Sequence, residues 1–137
     1  MKIMVTGAGG FVGSRLAAYY GKKYDVWGVT HKDLDLTDEA AVFKTVENYH
    51  PDVLIHCAAI SDVAECSKKP ELSHAVNVLG TEYIAKACGK TGTKLVMCSS
   101  DQVYFRKRGE QESLDAYLEP HWEDCIETPE PLYGKQK

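Results

Sequence analysis

The chain has 137 residues, of which 44% are hydrophobic, and a formal net charge of −4 at pH 7. This length fits one domain, and the negative charge argues against nucleic acid as a partner. No apolar run approaches the roughly 20 residues that a membrane-spanning helix needs, and the N-terminus has the pattern of a core strand rather than a signal peptide. We therefore expect a cytoplasmic protein with no membrane partner.

The five cysteines are odd in number and show no CxxC spacing. This pattern predicts reduced thiols rather than a disulfide framework, most of them packing as small apolar side chains. His56 ends a predicted buried strand, and we interpret it as a hydrogen-bonded core residue rather than a metal ligand. We expect no metal site.

The most informative feature is a glycine cluster that directly follows a strand-like run and opens an apolar-periodic helix. A pyrophosphate can approach the backbone there because no Cβ blocks it, and the N-terminal dipole of the helix favours its charge. Gly7 starts the turn, Gly9 and Gly10 leave the phosphate face bare, and Gly13 lets the helix pack on the strand. Tight turns also collect glycines, but this strand–turn–helix context predicts a dinucleotide-binding fold.

Strands and helices alternate along the chain with the spacing of βαβ units. We predict strands over residues 2–6, 24–30, 52–57 and 94–98, and helices over residues 11–20, 38–48 and 70–90. Thr37 is expected to cap the second helix and Pro70 to open the third. The predicted apolar stripe of the third helix comprises Ala75, Val78, Leu79, Ile84, Ala85 and Cys88. The predicted fold is α/β: a Rossmann-type, doubly wound parallel sheet forming one NAD(P)-binding domain over residues 1–137.

Residues 99–131 are polar and show no sustained period, although a short helix could form around residues 114–118. This segment leaves the carboxyl end of a predicted core strand, where open α/β sheets place their active sites. Long loops at that edge usually carry function. The basic run at residues 106–108 is interpreted as a solvated loop.

Six motifs, in order along the whole chain, resemble the extended short-chain dehydrogenase/reductase family, which includes sugar-nucleotide epimerases and dehydratases. The resemblance is strongest to its dTDP-4-dehydrorhamnose reductase branch. The motifs are 6–13 (TGAGGFVG), 33–38 (DLDLTD), 51–59 (PDVLIHCAA), 77–81 (NVLGT), 99–104 (SSDQVY) and 133–137 (YGKQK). The resemblance implies reduction of a 4-keto-6-deoxysugar nucleotide, which would be the substrate partner of the intact enzyme.

The resemblance also implies a catalytic set of Ser100, Tyr133 and Lys137. Four residues apart on a helix, Tyr133 and Lys137 would share one face. A tyrosine hydroxyl titrates at about pH 10 unless a neighbouring cation makes it more acidic, so the pairing suits acid–base chemistry. Tyr19 and Lys23 have the same spacing, but they lie at the end of the first helix and are assigned to the surface.

The cofactor is predicted from the end of the second strand, where an acidic residue favours NAD and a basic residue accommodates the NADP phosphate. The chain has His31 and Lys32 there, with no acid before Asp33, so NADP is favoured over the alternative, NAD. The resemblance implies further cofactor-binding residues: Phe11, Val12, Asp35, Leu36, Cys57, Ala58, Ala59, Asn77 and Cys98, besides Tyr133 and Lys137.

Two departures from the family pattern stand out: a longer segment between Ser100 and Tyr133, and Gln136 in place of a small residue. Family members also continue beyond the position of Lys137. We therefore expect the N-terminal portion of a reductase, truncated before the last strands and the substrate-binding region. We also expect it to bind cofactor without an assembled catalytic pair.

Three functions are left open by the sequence. The first is the NADP-dependent reductase, and the second is an NAD-dependent sugar-nucleotide epimerase or dehydratase. The third is a non-catalytic, cofactor-binding regulatory subunit. The strand from Lys94 to Cys98 is expected to have an unpaired, apolar far edge, which predicts either self-association there or coverage by residues 99–131.

Overall fold

A computed structural model of the chain describes residues 1–104 and 129–137. The suggested helix at residues 114–118 and the basic run at residues 106–108 lie outside the described residues.

Four strands form one parallel sheet in the order β2-β1-β3-β4. The strands are β1 (Lys2–Thr6), β2 (Asp25–Val29), β3 (Val53–His56) and β4 (Lys94–Met97). The helices are α1 (Phe11–Tyr20), α2 (Glu39–Tyr49), α3 (Val63–Lys68), α4 (Pro70–His74), α5 (Gly80–Thr91) and α6 (Leu132–Lys135), with a π-helical segment at Ala75–Leu79 and a 3₁₀ helix at Asp101–Tyr104. The predicted α/β fold is confirmed, and no predicted strand extends more than one residue beyond either observed end.

Helices cover both faces of this sheet because successive strand residues point to opposite sides. On one face, Ile3, Val5 and Ile55 pack against side chains of α1. On the other face, Met4 and Leu54 pack against buried side chains of α2 and α5. The sheet is therefore doubly wound. Among the described helices, none has both the length and the apolar character required to cross a membrane.

The capping of α2 differs from the prediction. Asp38, not Thr37, is the N-cap, and its Oδ1 accepts a hydrogen bond from the backbone N–H of Ala41 at 3.0 Å. The Thr37 hydroxyl instead donates to Asp35 Oδ1 at 2.7 Å. Both residue types cap helices well. Here the Thr37 side chain is engaged by the preceding turn, which leaves the cap to Asp38.

The predicted third helix is interrupted by the π-helical segment between α4 and α5. An extra residue in that turn rotates the following residues about the helix axis. As a result Asn77 and Gly80 are buried where the prediction placed Val78 and Leu79. Ala87 is buried in the core, whereas the predicted Ala85 is exposed.

Candidate functional site

A cleft of about 970 Å³ opens at the carboxyl ends of the strands. The chain leaves β1 toward β2 on one side of the sheet, and later continues through β3 on the other side of β1. Such a switch point leaves a crevice between the two connections, and ligands of open α/β sheets bind there. This volume lies near the upper end of the range for pockets that bind small molecules and cofactors.

The glycine turn forms one wall of the cleft, and glycine is present at its positions for different reasons. Gly7 has a φ of +70°, and a Cβ there would lie 2.7 Å from the backbone N of Ala58. A Cβ at Gly13 would collide with the carbonyl oxygen of Gly7. By contrast, a Cβ at Gly9 would meet only Thr30 Cγ2, at 3.8 Å. Gly7 and Gly13 are thus required by the fold, whereas Gly9 leaves the cleft open to a ligand.

The N-terminus of α1 faces the same space. Gly10 caps the helix without a side-chain hydrogen bond, and the first backbone bond to it comes from Ser14 N–H at 3.1 Å. The N–H groups of Phe11, Val12 and Gly13 therefore have no acceptor within the helix. All three residues line the cleft. A helix start with these donors and no acidic side chain in its first turn suits a phosphate.

The turn after β2 forms the outer rim. Asp33 Oδ2 accepts hydrogen bonds from the backbone N–H and the hydroxyl of Thr30, at 2.8 and 2.7 Å. These bonds, with the charges of His31 and Lys32 as smaller causes, lower the pKa of Asp33. The carboxylate of Asp33 is thus held by hydrogen bonds within its own turn. Asp33 does not line the cleft, whereas His31 and Lys32 do.

The next predicted residues, Asp35 and Leu36, also line the cleft. Asp35 Oδ1 accepts from the backbone N–H of Thr37 at 2.9 Å as well as from its hydroxyl. The two bonds lower the pKa of Asp35. Ala58 and Ala59, which follow β3, form the facing part of the lining.

His56 lies beneath the cleft in a chain of hydrogen bonds, as predicted for a core residue. Thr81 donates its hydroxyl proton to the carbonyl of Asn77 at 2.7 Å, so His56 Nε2 must donate to Thr81 Oγ1 at 3.1 Å. His56 Nδ1 then accepts from the Thr6 hydroxyl at 2.7 Å. Ala58 N–H in turn donates to Thr6 Oγ1 at 3.4 Å. Burial, with a smaller contribution from Lys137, lowers the pKa of His56 to about 4.

Tyr133 and Lys137 both line the cleft, although the catalytic pair was expected to be unassembled. Tyr133 is buried at the start of α6, and burial lowers the pKa of Lys137. A four-residue helix is marginal by itself, so contacts with the rest of the fold must hold it. The side chain of Gln136 provides such contacts with Asn77 and Ser73.

The two serines after β4 have different positions. Ser99 lines the cleft, whereas Ser100 is not among the lining residues. The Ser100 hydroxyl donates to Asp101 Oδ1 at 3.1 Å and accepts from Gln102 N–H at 3.2 Å. It thereby caps the 3₁₀ helix that begins at Asp101. The catalytic role of Ser100 stays a prediction.

Every predicted site residue except Ser100 and Asn77 lines the cleft. Asn77 lies behind the wall, where its amide donates to the Ile60 carbonyl at 3.0 Å and accepts from the Ile60 N–H at 2.8 Å. Sequence reasoning missed Thr30, Ile60 and Ser61, which follow strands and also line the cleft. In the part of the chain that the structure describes, no three His, Cys, Asp or Glu side chains are grouped to hold a metal ion.

A doubly wound parallel sheet with a glycine turn at its switch point defines the class of Rossmann-type nucleotide-binding proteins. The chain belongs to the RmlD substrate binding domain family, whose sequence profile matches residues 1–137. The resemblance drawn from the motifs is thereby confirmed.

Curated relatives and solved structures agree with this assignment. The dTDP-4-dehydrorhamnose reductase of Mycobacterium tuberculosis H37Rv is 33% identical over 138 residues, covering 99% of this chain and 43% of the relative. Methionine adenosyltransferase 2 subunit beta of Xenopus laevis is 34% identical over 146 residues, covering 99% of this chain and 40% of the relative. The Bacillus anthracis dTDP-4-dehydrorhamnose reductase, solved in complex with NADP, superposes with a TM-score of 0.85 at 29% identity. That match covers 98% of this chain and 45% of the solved chain. The chain thus spans less than half the length of these proteins.

Proposed function

We propose that these 137 residues are the NADP-binding part of a dTDP-4-dehydrorhamnose reductase that acts on a 4-keto-6-deoxysugar nucleotide. The observation that carries the proposal is one cleft lined by Gly9, the start of α1, Tyr133 and Lys137. It joins a phosphate-binding turn to an acid–base pair. Because the chain spans 43% of the M. tuberculosis reductase, reduction is proposed for the whole protein and cofactor binding for these residues.

The cleft fits a dinucleotide by its own features. The open space at Gly9 admits a pyrophosphate, and the donors of Phe11, Val12 and Gly13 would hold it. The preference for NADP rests on the rim: Asp33 is bound to Thr30, which leaves Lys32 and His31 to meet a 2′-phosphate. The NADP complex of the B. anthracis relative supports the same cofactor.

When bound, the reduced cofactor supplies a hydride. This chain's residues supply the proton and the position of the substrate. Tyr133 would donate its phenolic proton to the carbonyl oxygen, and the ammonium of Lys137 would stabilise the negative charge left on the tyrosine. Ser100 donates a hydrogen bond to the same oxygen after its bond to Asp101 is released, since that bond now occupies the hydroxyl.

Fluorescence titration with NADPH and NADH tests the binding proposal. We expect saturable binding, with NADPH favoured about tenfold, since a charged hydrogen bond to a phosphate contributes roughly 1.5–3 kcal/mol. Lys32→Ala should remove most of that preference while leaving NADH binding unchanged. Lys68→Ala, an exposed lysine on α3, is the matched control. Absence of binding to either cofactor contradicts the proposal, and tighter NADH binding overturns the choice of NADP.

A second candidate is a cofactor-binding subunit without reductase activity. A relative at an identity similar to that of the reductases, methionine adenosyltransferase 2 subunit beta, is named as a subunit of another enzyme, which supports this candidate without favouring it over the reductase. The reductase matches, in turn, favour reduction over the epimerase or dehydratase alternative. Oxidation of NADPH, followed at about 340 nm with dTDP-4-keto-6-deoxysugars and the whole protein, distinguishes the two candidates. If the protein binds NADPH tightly but oxidises none of it, the result supports the cofactor-binding subunit over the reductase.

A further inference from the structure

Two cysteines meet on the floor of the cleft, at the ends of neighbouring strands. Cys57 follows β3 and Cys98 follows β4, and their Sγ atoms are 3.4 Å apart. The preceding residues, His56 and Met97, are register partners, and Cys98 N–H donates to the His56 carbonyl at 3.1 Å. Neighbouring strands lie about 4.8 Å apart, and paired residues point to the same face. This separation lies within the Cα range of roughly 4.4–6.8 Å that disulfides span.

Both thiols can be reached from the cleft, which distinguishes them from the other described cysteines. Cys57 and Cys98 are half-buried and line the cleft. Cys66 and Cys88 are buried, and the Cys66 thiol donates to the Ile60 carbonyl at 3.2 Å. A small thiol-reactive molecule in the cleft therefore meets one pair of sulfur atoms.

We propose that Cys57 and Cys98 form a dithiol site that reacts with a low-molecular-weight disulfide and closes into an intramolecular disulfide. Oxidised glutathione represents this class of oxidant. One protein thiolate attacks it, forms a mixed disulfide and releases one glutathione thiolate. The second protein thiolate then attacks the mixed disulfide at the protein sulfur and releases the other glutathione. Two protein thiols are oxidised, one glutathione disulfide is reduced to two thiols, and the two cysteine protons pass to them.

The environment of the pair opposes formation of the attacking thiolate. Burial, followed by the hydrogen bond with Cys98, raises the pKa of Cys57. Since the thiolate is the nucleophile, the reaction should speed up as the pH is raised. Either sulfur can attack first, because both line the cleft and each lies within reach of the other. Closing the sulfurs from 3.4 Å to about 2.05 Å takes side-chain rotation and small local shifts of the strand ends.

Peptide mapping of the native full chain tests the site. The chain is incubated with oxidised glutathione, free thiols are blocked with N-ethylmaleimide, and the protein is digested without reduction. Trypsin is combined with endoproteinase Glu-C, because cleavage at Glu65 separates Cys57 from Cys66. We expect one cross-linked peptide pair, Cys57 with Cys98, that dithiothreitol abolishes, while Cys66 and Cys88 stay unreacted with glutathione. The same reaction in concentrated urea, where every thiol is accessible, provides the reference without native selectivity.

Single variants test the role of each sulfur. Cys57→Ser should trap one glutathione on Cys98, and Cys98→Ser should trap one on Cys57, because the resolving thiol is missing in each. Cys88→Ser is the matched control, and the cross-link should form in it at the unchanged rate. Circular dichroism verifies that each variant is folded. Separate glutathione adducts on Cys57 and Cys98 of the native chain, or full blocking of both by N-ethylmaleimide after oxidation, would overturn the proposal.

Discussion

The side chain of Gln136 joins the end of the chain to the middle of the molecule: its Oε1 accepts from Asn77 Nδ2 at 3.1 Å. Its Nε2 donates to Ser73 Oγ at 2.9 Å. Asn77 lies in the π-helical segment and also binds both backbone groups of Ile60, beside the cleft. One buried amide network therefore sets the position of α6, with its Tyr133, against the wall of the cleft.

Replacing this amide should loosen the end of the chain. We expect Gln136→Ala to lower the free energy of unfolding by about 1–3 kcal/mol, because buried hydrogen-bonding groups lose a partner. Urea denaturation measures the change. Lys135→Ala, at the exposed last residue of α6, is the control and should stay within about 0.5 kcal/mol of the original chain. Equal stability of the two variants would contradict a structural role for Gln136.

Substitutions in the glycine turn should separate effects on folding from effects on cofactor binding. Gly9→Ala should fold normally, since a Cβ there meets nothing closer than 3.8 Å, yet it should weaken NADPH binding by about tenfold or more. Gly7→Ala should instead destabilise the fold, because its φ is +70° and a Cβ would crowd Ala58. Thermal unfolding and cofactor titration give the two readouts.

A helical glycine away from the cleft provides the control. Gly89 is exposed on α5, and a Cβ there meets nothing within 4 Å. Gly89→Ala should therefore raise stability by up to about 1 kcal/mol and leave NADPH binding unchanged. If Gly9→Ala binds as tightly as Gly89→Ala, the open space at Gly9 is not where the pyrophosphate lies.

The features predicted correctly from sequence are those set by neighbouring residues. Short apolar runs spaced like those of βαβ units located the strands, and the glycine spacing located the turn whose Gly7 and Gly13 the backbone requires. The errors have other causes. Asp38 and Thr37 are adjacent and both can cap a helix, so only the turn geometry decides between them. The bond from Gln136 to Ser73 spans 63 positions, and no local pattern encodes it.

Acid should destabilise the protein through His56. Its pKa is about 4 in the folded chain and about 6.5 when exposed, so the unfolded chain binds the proton first as the pH falls. The contribution of His56 to stability should be complete above about pH 7 and decrease by about 3 kcal/mol as the pH falls from 6.5 to 4. Protonation would also remove the acceptor that Nδ1 offers to the Thr6 hydroxyl. Asp33 and Asp35, with lowered pKa values, titrate below this window.

Urea denaturation across that pH range measures the effect. His56→Gln should be less stable at pH 7 but should lose the pH dependence between 6.5 and 4. His74→Gln, at an exposed histidine in α4, should retain the slope of the original chain. The same slope in all three proteins would show that His56 does not cause the acid sensitivity.

The far edge of β4 should mediate association of two copies. Lys94 and Cys98 donate their N–H groups toward β3, to Asp52 and His56, so the alternation of a strand directs those of Leu95 and Met97 to the opposite side. Among the described strands none pairs with that side, and Val96 and Met97 are 41% and 44% exposed. Unpaired apolar edges attract another strand.

Light scattering should therefore detect a dimer that dissociates in Val96→Lys, whereas Lys86→Ala on α5 should leave it intact. Hydrogen exchange at Leu95 and Met97 should slow with protein concentration. A monomer in which both amides exchange slowly would indicate coverage of the edge by the chain's own residues. A monomer in which both amides exchange fast would contradict both the association of two copies and the coverage of this edge by the chain itself.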